Sequence, residues 1–153
     1  MTLSDEQLAL LDKELRRDEG VRNTMYKDSK GIDTIGVGHN CEVRPLPADW
    51  TQPLSGAQID QLLNEDLEEV FKDLDDAFPW WETLDDVRKR CLANMTFNMG
   101  IETLMEFHNT MRDFQRGSYE SVAERLRLSL WFKQVGPRAV RICDAIETGV
   151  MPE

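Results

Sequence analysis

Apolar leucines recur at helical spacing over residues 4–18, behind a serine that makes a good N-cap; they are Leu8, Leu11 and Leu15. This pattern predicts a first helix that ends near Gly20. Over residues 26–41 the spacing changes, and glycines alternate with β-branched residues. That composition is typical of short strands and tight turns. We therefore expect a small antiparallel sheet after the first helix.

The middle of the chain contains a loop followed by a long helix. Three prolines within residues 44–56 exclude regular structure there and indicate a loop. Residues 55–78 then return to helical spacing, with apolar side chains on one side, acidic side chains on the other and Pro79 at the end. A helix of this length can bridge two lobes.

The last part of the chain is helical throughout. Residues 84–99 form the most apolar helix candidate, which we expect in the core of a second lobe. Shorter helical patterns follow at 103–115, 119–128 and 137–147, separated by glycines. The order of elements predicts an α+β fold that is mainly helical, with a small antiparallel sheet and a long inter-lobe helix. We expect one domain over residues 1–153, with an N-terminal lobe at 1–54, the bridging helix at 55–78 and a helical lobe at 79–153.

Composition and charge exclude several classes of protein. The 153 residues are 41% hydrophobic and 31% charged, which is typical of a globular domain. The net charge is -11, and residues 45–83 carry ten acidic residues against the single Lys72. Such an acidic balance disfavours nucleic-acid binding and gives no attraction to anionic cell envelopes.

The first twenty residues have no apolar run long enough for a signal peptide or a membrane span. From this we expect no signal peptide, no direct membrane insertion and accumulation in the cytoplasm. The three cysteines are widely spaced and fit free thiols in a reducing compartment. The acidic run around residues 65–76 lacks the residue order of a calcium loop, so we expect a solvated helix face and no metal.

Two carboxylates stand out as candidate catalytic groups. Glu19 lies at the predicted end of the first helix, and Asp28 lies at the head of the predicted sheet. Glycoside hydrolysis needs one carboxyl group that protonates the leaving oxygen and a second that acts as a base or nucleophile. Carboxylates from two different elements can face one cleft in separate environments, which suits this division of roles.

The alternation of side chains along a strand makes Thr34 a third candidate catalytic residue. It places Thr34, Gly36 and Gly38 on one face of the strand. If that face lines the cleft, the Thr34 hydroxyl can hold the attacking water while the glycines let a sugar approach the backbone. Taken singly, each feature has a structural explanation as a helix-end acid, a turn former or an ordinary strand.

The joint spacing of these residues resembles the phage-type lysozymes of glycoside hydrolase family 24, the T-even phage type. The matching positions are Arg17-Asp18-Glu19-Gly20, Tyr26-Lys27-Asp28, Gly31 and Thr34-Ile35-Gly36-Val37-Gly38-His39. The similarity extends over about residues 8–148, through Leu63-Asn64-Glu65-Asp66, Val87 to Cys91, Asn94 to Gly100, and Trp131-Phe132 with Gln134 and Arg138-Ala139. Residues 40–53 depart from the family pattern, and so does the acidic charge.

The resemblance implies a lysozyme-like two-lobe fold and hydrolysis of the β-1,4 bond between N-acetylmuramic acid and N-acetylglucosamine in peptidoglycan. It makes Glu19 the general acid, Asp28 the second carboxylate and Thr34 the water-positioning residue of a mainly inverting reaction. Residues implied as glycan contacts are Phe97, Asn98, Thr110 and Arg125. The resemblance further implies a monomeric endolysin that needs no cofactor and waits in the host cytoplasm until a holin permeabilises the membrane.

Several alternatives stay open. His39 fits better as a structural partner of an acid such as Asp66 than as a catalytic base, because the carboxylates already supply acid and base. Trp80 and Trp81 fit a packed corner better than a sugar-stacking pair. The same bond can also be cut by a lytic transglycosylase, and an acidic, non-catalytic binding protein is the alternative from another class.

Overall fold

The structure is a computed structural model that describes residues 3–153. The strands are β1 (Arg22–Lys27), β2 (Asp33–Gly36) and β3 (His39–Asn40). The helices are α1 (Asp5–Glu19), α2 (Gly56–Ala77), α3 (Asp86–Met99), α4 (Ile101–Met105), α5 (His108–Arg116), α6 (Tyr119–Arg127), α7 (Leu130–Val135) and α8 (Pro137–Thr148), with a short 3-10 helix at Pro79–Thr83. The predicted α+β class, mainly helical with a small antiparallel sheet, is confirmed.

The differences from the predicted elements have local causes. Strand β1 begins at Arg22, four residues before the predicted sheet, because residues 22–25 are all exposed and show no apolar alternation. The predicted helix at 103–115 is two helices, since the N–H groups of Glu106 and Phe107 turn back to carbonyls only three residues earlier. Helix α7 is six residues long, too short for a periodic signal.

The chain divides into two compact units, each described here by itself. The sheet unit is Leu8–Glu69, and the helical unit is Val70–Glu153 with the described residues up to Gln7. In the sheet unit the strand order is β1-β2-β3, and both pairings are antiparallel. Thr34 on the central strand pairs with Tyr26 on one side and Asn40 on the other. The middle of the sheet therefore holds the candidate water-positioning residue.

The outer edge of β1 is held by the divergent loop that precedes α2. The backbone N–H of Leu54 donates to the carbonyl of Asn23 (2.8 Å), and the N–H of Met25 donates to the side-chain oxygen of Gln52 (2.7 Å). These bonds satisfy edge groups that a strand would otherwise leave unpaired. The loop thus completes the sheet edge.

The core of the sheet unit lies between α1, β2 and α2. Its fully buried side chains include Leu11, Leu15, Ile35 and Leu63. Burial of an aliphatic side chain of this size contributes about 1.5–3 kcal/mol, so the leucine stripe of α1 and the apolar stripe of α2 stabilise this unit.

The helical unit is built around α3, whose residues 90–96 are all buried. The expectation that this helix lies in the core is confirmed. Trp81 is fully buried and donates from Nε1 to Asp75 (2.7 Å), while the ring of Trp80 stacks on Phe114 at 6.3 Å between centroids. The two tryptophans therefore form the predicted packed corner.

Among residues 3–153, no helix is long and apolar enough to cross a membrane. The cysteines at positions 41, 91 and 143 are buried thiols that form no disulfide bond. Burial raises the pKa of the Cys143 thiol to about 12, so this thiol stays protonated at neutral pH.

Candidate active site

The side chain of Glu19 is fixed by the end of α1 and by a glycine in the turn between β2 and β3. Helix α1 ends because Gly20 adopts a positive φ of 74° and donates from its N–H to Arg16 (3.0 Å). The half-buried Glu19 carboxylate then packs on the Cα of Gly38. A Cβ atom at Gly38 would lie 2.7 Å from Oε1 and 2.8 Å from Cδ of Glu19. Only a glycine leaves room for the carboxylate in this position.

Asp28 closes the turn between β1 and β2. Its Oδ1 accepts hydrogen bonds from the backbone N–H groups of Lys30 (2.8 Å) and Ile32 (2.9 Å), and its own N–H donates to the Ile32 carbonyl (3.0 Å). Oδ2 receives no hydrogen bond from any residue of the described chain, 3–153. One carboxylate oxygen therefore holds the turn, and the other accepts no hydrogen bond within the described chain.

Thr34 is almost fully buried, with 4% of its surface exposed, and its hydroxyl donates to the carbonyl of Ile32 (2.8 Å). Since the Thr34 proton is used by this carbonyl, the hydroxyl offers its remaining lone pairs as acceptors. Asp28 and Thr34 thus bind the same residue, Ile32: the Asp28 carboxylate accepts from its N–H, and its carbonyl accepts from both the Thr34 hydroxyl and the Asp28 N–H.

Tyr26 links the two carboxylates electrostatically. Burial is the largest cause that raises the pKa of its hydroxyl, and the negative charges of Glu19 and Asp28 raise it further. The nearby Arg22 guanidinium opposes this effect. Both candidate carboxylates therefore lie within electrostatic range of the same tyrosine. The sequence pattern did not identify Tyr26 as part of the site beyond its place in the matching run.

The prediction that Gly36 and Gly38 share one strand face with Thr34 is wrong. Gly36 is buried at the end of β2, and a Cβ there would meet Ile59 of α2 at 3.6 Å, so Gly36 faces the core and not a sugar. Gly38 lies beyond the strand and makes room for Glu19. Strand alternation does not extend past Gly36, because the chain turns there with positive φ at both glycines.

The buried His39 forms an ion pair with the half-buried Asp66. His39 is 2% exposed; its Nδ1 lies 2.9 Å from Asp66 Oδ2, and its Nε2 lies 2.8 Å from the Arg44 carbonyl. A carbonyl only accepts, so Nε2 carries a proton, and the carboxylate favours a second proton on Nδ1. Burial lowers the pKa of His39, but the Asp66 carboxylate outweighs it, and the net pKa is raised.

Arg44, from the divergent loop, joins this pair. Its Nη2 donates to Asp66 Oδ1, and Nη1 lies 3.8 Å from Glu69. The loop is therefore pinned to α2 by charge as well as to β1 by hydrogen bonds. Sequence reasoning missed Arg44, because an arginine in a proline-rich loop gives no periodic signal.

The predicted glycan contacts all belong to the helical unit. Asn98 accepts a hydrogen bond at Oδ1 from Trp131 Nε1 (2.9 Å), which leaves its amide N–H groups as donors. Arg125 is paired with Asp113 (2.7 Å), Thr110 is 5% exposed, and Phe97 is half-buried near the end of α3. Their role in glycan binding stays a prediction.

No group of three or more His, Cys, Asp or Glu side chains in residues 3–153 is arranged to hold a metal ion. The chemistry available in the sheet unit is that of carboxylates, a threonine hydroxyl and a tyrosine. A mainly helical α+β chain with a small three-stranded antiparallel sheet is consistent with a lysozyme-like fold.

Comparison with known proteins assigns the family. The phage lysozyme family model matches residues 16–142. The pre-baseplate central spike protein Gp5 of Enterobacteria phage T4 is 31% identical, over 88% of this chain and 27% of that protein. Probable T4-type lysozyme 1 of Dictyostelium discoideum is 26% identical, with 90% of this chain and 93% of that protein covered. The endolysin of Salmonella phage P22 is 29% identical, over 74% of this chain and 76% of that protein.

The chain belongs to the phage lysozyme family, and it is a glycoside hydrolase. It spans about a quarter of the length of the spike protein and nearly the full length of the T4-type lysozyme.

Proposed function

We propose that this protein is an endolysin that hydrolyses the β-1,4 bond between N-acetylmuramic acid and N-acetylglucosamine in bacterial peptidoglycan. Family membership and the endolysin and T4-type lysozyme relatives support this substrate. The observation that carries the mechanism is the arrangement of Asp28 and Thr34 around Ile32, with one carboxylate oxygen and one hydroxyl left as acceptors.

These two acceptors suit a nucleophilic water. A water that donates one hydrogen to Asp28 Oδ2 and the other to Thr34 Oγ1 keeps its lone pairs for attack on the anomeric carbon. Asp28 then removes a proton as general base, and Glu19 donates a proton to the leaving glycosidic oxygen as general acid. Attack by water opposite to the leaving group inverts the anomeric configuration.

The remaining partners follow from the same proposal. Phe97 and Asn98 are the first candidates for glycan contacts, and Thr110 and Arg125 are the second. No cofactor takes part in the reaction. We further propose that the protein is a monomer that accumulates in the cytoplasm of the producing cell and reaches the wall at lysis, after a holin has permeabilised the membrane.

The first experiment measures the loss of turbidity of outer-membrane-permeabilised cells with three proteins. These are the wild type, Glu19→Gln and a matched control, Glu124→Gln, which changes an exposed glutamate of α6. We expect Glu19→Gln to lose at least about 100-fold in rate, because it cannot donate the proton. The control should keep wild-type activity. Equal activity in all three proteins, or none in any, would exclude this function.

The second experiment analyses the products. Mass spectrometry should detect reducing muramic acid ends, and NMR at early times should detect the α anomer first. Anhydro-muramic ends would instead identify a lytic transglycosylase, and an initial β anomer would identify a retaining reaction. The pH profile of kcat/KM should be bell-shaped, because one carboxyl must be protonated and the other ionised.

A further inference from the structure

We propose that a cavity along strand β1, with Arg22 on its wall, binds a carboxylate of the short peptides attached to muramic acid. This inference rests on the proposed function, because it names a further part of the same substrate. The cavity has a volume of about 450 Å³ and lies within the sheet unit. A volume of this size is in the range of small-ligand sites.

The residues that line the cavity begin at Val21, two positions after the candidate acid along the chain. Residues 21–24 form one side, and the apolar side chains of Leu54 and Ile59, both almost fully buried, form the other. The wall is fixed, because the Leu54 N–H donates to the carbonyl of Asn23. Arg22 on this wall contacts the ring of Tyr26, and Tyr26 lies within electrostatic range of both Glu19 and Asp28, so the cavity wall and the candidate carboxylates share one neighbour.

Arg22 is the only charged residue among those that line the cavity within the described chain. Its Cζ lies 4.5 Å from the centroid of the Tyr26 ring, which holds the guanidinium by a cation–π contact. No carboxylate of residues 3–153 forms an ion pair with Arg22. The N–H donors in the guanidinium plane are thus oriented but donate to no carboxylate of the described chain. A guanidinium held in this way can bind a carboxylate with two parallel hydrogen bonds.

The absence of an acidic partner for Arg22 among residues 3–153 is unexpected in a chain with so many acidic residues. The net charge is -11, and acidic partners are abundant, yet this guanidinium has none. The same charge gives the protein no general attraction to an anionic wall. A local cation next to Tyr26 would offset this for one part of the substrate. The peptides of peptidoglycan begin with an alanine followed by a residue with a free carboxylate, which matches an apolar side next to an arginine.

Free carboxylates occur in two places in such a polymer. One is on the peptide, and the other is the lactyl carboxylate that appears on muramic acid when the peptide is removed. The test therefore uses glycan strands with their peptides and the same strands after an amidase has removed the peptides. The proteins are the wild type, Arg22→Gln, Arg22→Lys and Arg112→Gln, which removes an exposed arginine of α5 as a matched control.

The measured quantity is the ratio of kcat/KM on peptide-bearing strands to kcat/KM on peptide-free strands. We expect Arg22→Gln to lower this ratio about tenfold, the effect of one charge-assisted hydrogen-bonded pair. Arg22→Lys should lower it less, and Arg112→Gln should leave it at the wild-type value. An unchanged ratio for Arg22→Gln would overturn the proposal. A ratio that rises, because kcat/KM falls more on peptide-free strands, would also overturn it and would identify the lactyl carboxylate as the ligand of Arg22.

A binding measurement separates this proposal from the proposed function. In a Glu19→Gln background, calorimetric titration compares a disaccharide that carries its peptide with the same compound after amidation of the peptide carboxylates. We expect about tenfold weaker binding of the amidated compound, and no such difference when Arg22→Gln is added. Equal binding of both compounds to the Glu19→Gln protein would refute the subsite. If the wild type hydrolyses neither strand, the proposed function fails, and this titration still decides whether the cavity binds carboxylates.

Discussion

The contact between Gly38 and Glu19 gives a prediction that separates activity from stability. In Gly38→Ala, the added Cβ would lie 2.7 Å from Oε1 of Glu19, whereas an ordinary contact needs at least 3.4 Å. The difference, 3.4 − 2.7, requires the carboxylate oxygen to move by 0.7 Å. A displacement of about 1 Å in a catalytic group can cost on the order of 100-fold in rate. We therefore expect kcat to fall about 10–100-fold.

The stability of Gly38→Ala should fall only by the cost of its backbone conformation. Gly38 has a φ of 60°, and an L-residue in this region costs about 1–2 kcal/mol. The atoms that meet the new Cβ are at the end of a flexible side chain, so they can move away cheaply. We expect Tm to decrease by about 3–6 °C.

Gly117→Ala is the matched control. Gly117 has a φ of 76°, and a Cβ there would meet no atom within 4 Å. It should lose the same stability as Gly38→Ala but keep its hydrolytic rate. The assay is the release of reducing ends from peptidoglycan, together with thermal unfolding of both variants. If Gly38→Ala loses no more activity than Gly117→Ala, the proposed positioning of Glu19 by this glycine is refuted.

Three other predictions concern the two units separately. The pKa of His39 is raised in the folded protein, so the stability that its charged form contributes is complete below about pH 6.5 and is lost as the pH rises through the folded value. Asp66→Asn should accordingly cost about 3 kcal/mol near pH 5 and less at pH 8.5, measured by urea unfolding; a cost that grows with pH would contradict this. Thr34→Val should lower kcat about 100-fold, and Thr34→Ser should restore most of it, whereas equal loss in both would point to a structural role. Arg88 donates from Nε to the Ile146 carbonyl (2.8 Å) at the end of α8, so Arg88→Met should destabilise the protein by about 2 kcal/mol without altering the pH profile of the rate.

The order of helices and strands was largely predictable, because the signals for these elements act over a few residues. Leucines at helical spacing, a serine N-cap and Pro79 act within one or two turns of backbone, and α1 and α2 lie within a residue or two of their predicted bounds. The errors occur where local signals are weak. Strand β1 begins in an exposed segment, and α7 has only six residues.

The candidate trio was identifiable for a related reason. Asp28 and Thr34 act through hydrogen bonds to residues two to four positions away, so their spacing along the chain reflects their geometry directly. Their catalytic roles, and that of Glu19, stay predictions until the variants are measured.

The sequence by itself determined the class of fold, the family resemblance and which carboxylates and hydroxyl to examine. Only the tertiary structure decided that Gly38 makes room for Glu19, that Gly36 faces α2, and that Arg22 lines a cavity without an acidic partner. These facts depend on contacts between residues on different elements, which are created when apolar stripes pack together. Periodicity and spacing along the chain predict which face of an element is buried, but they do not specify which residue of another element it meets.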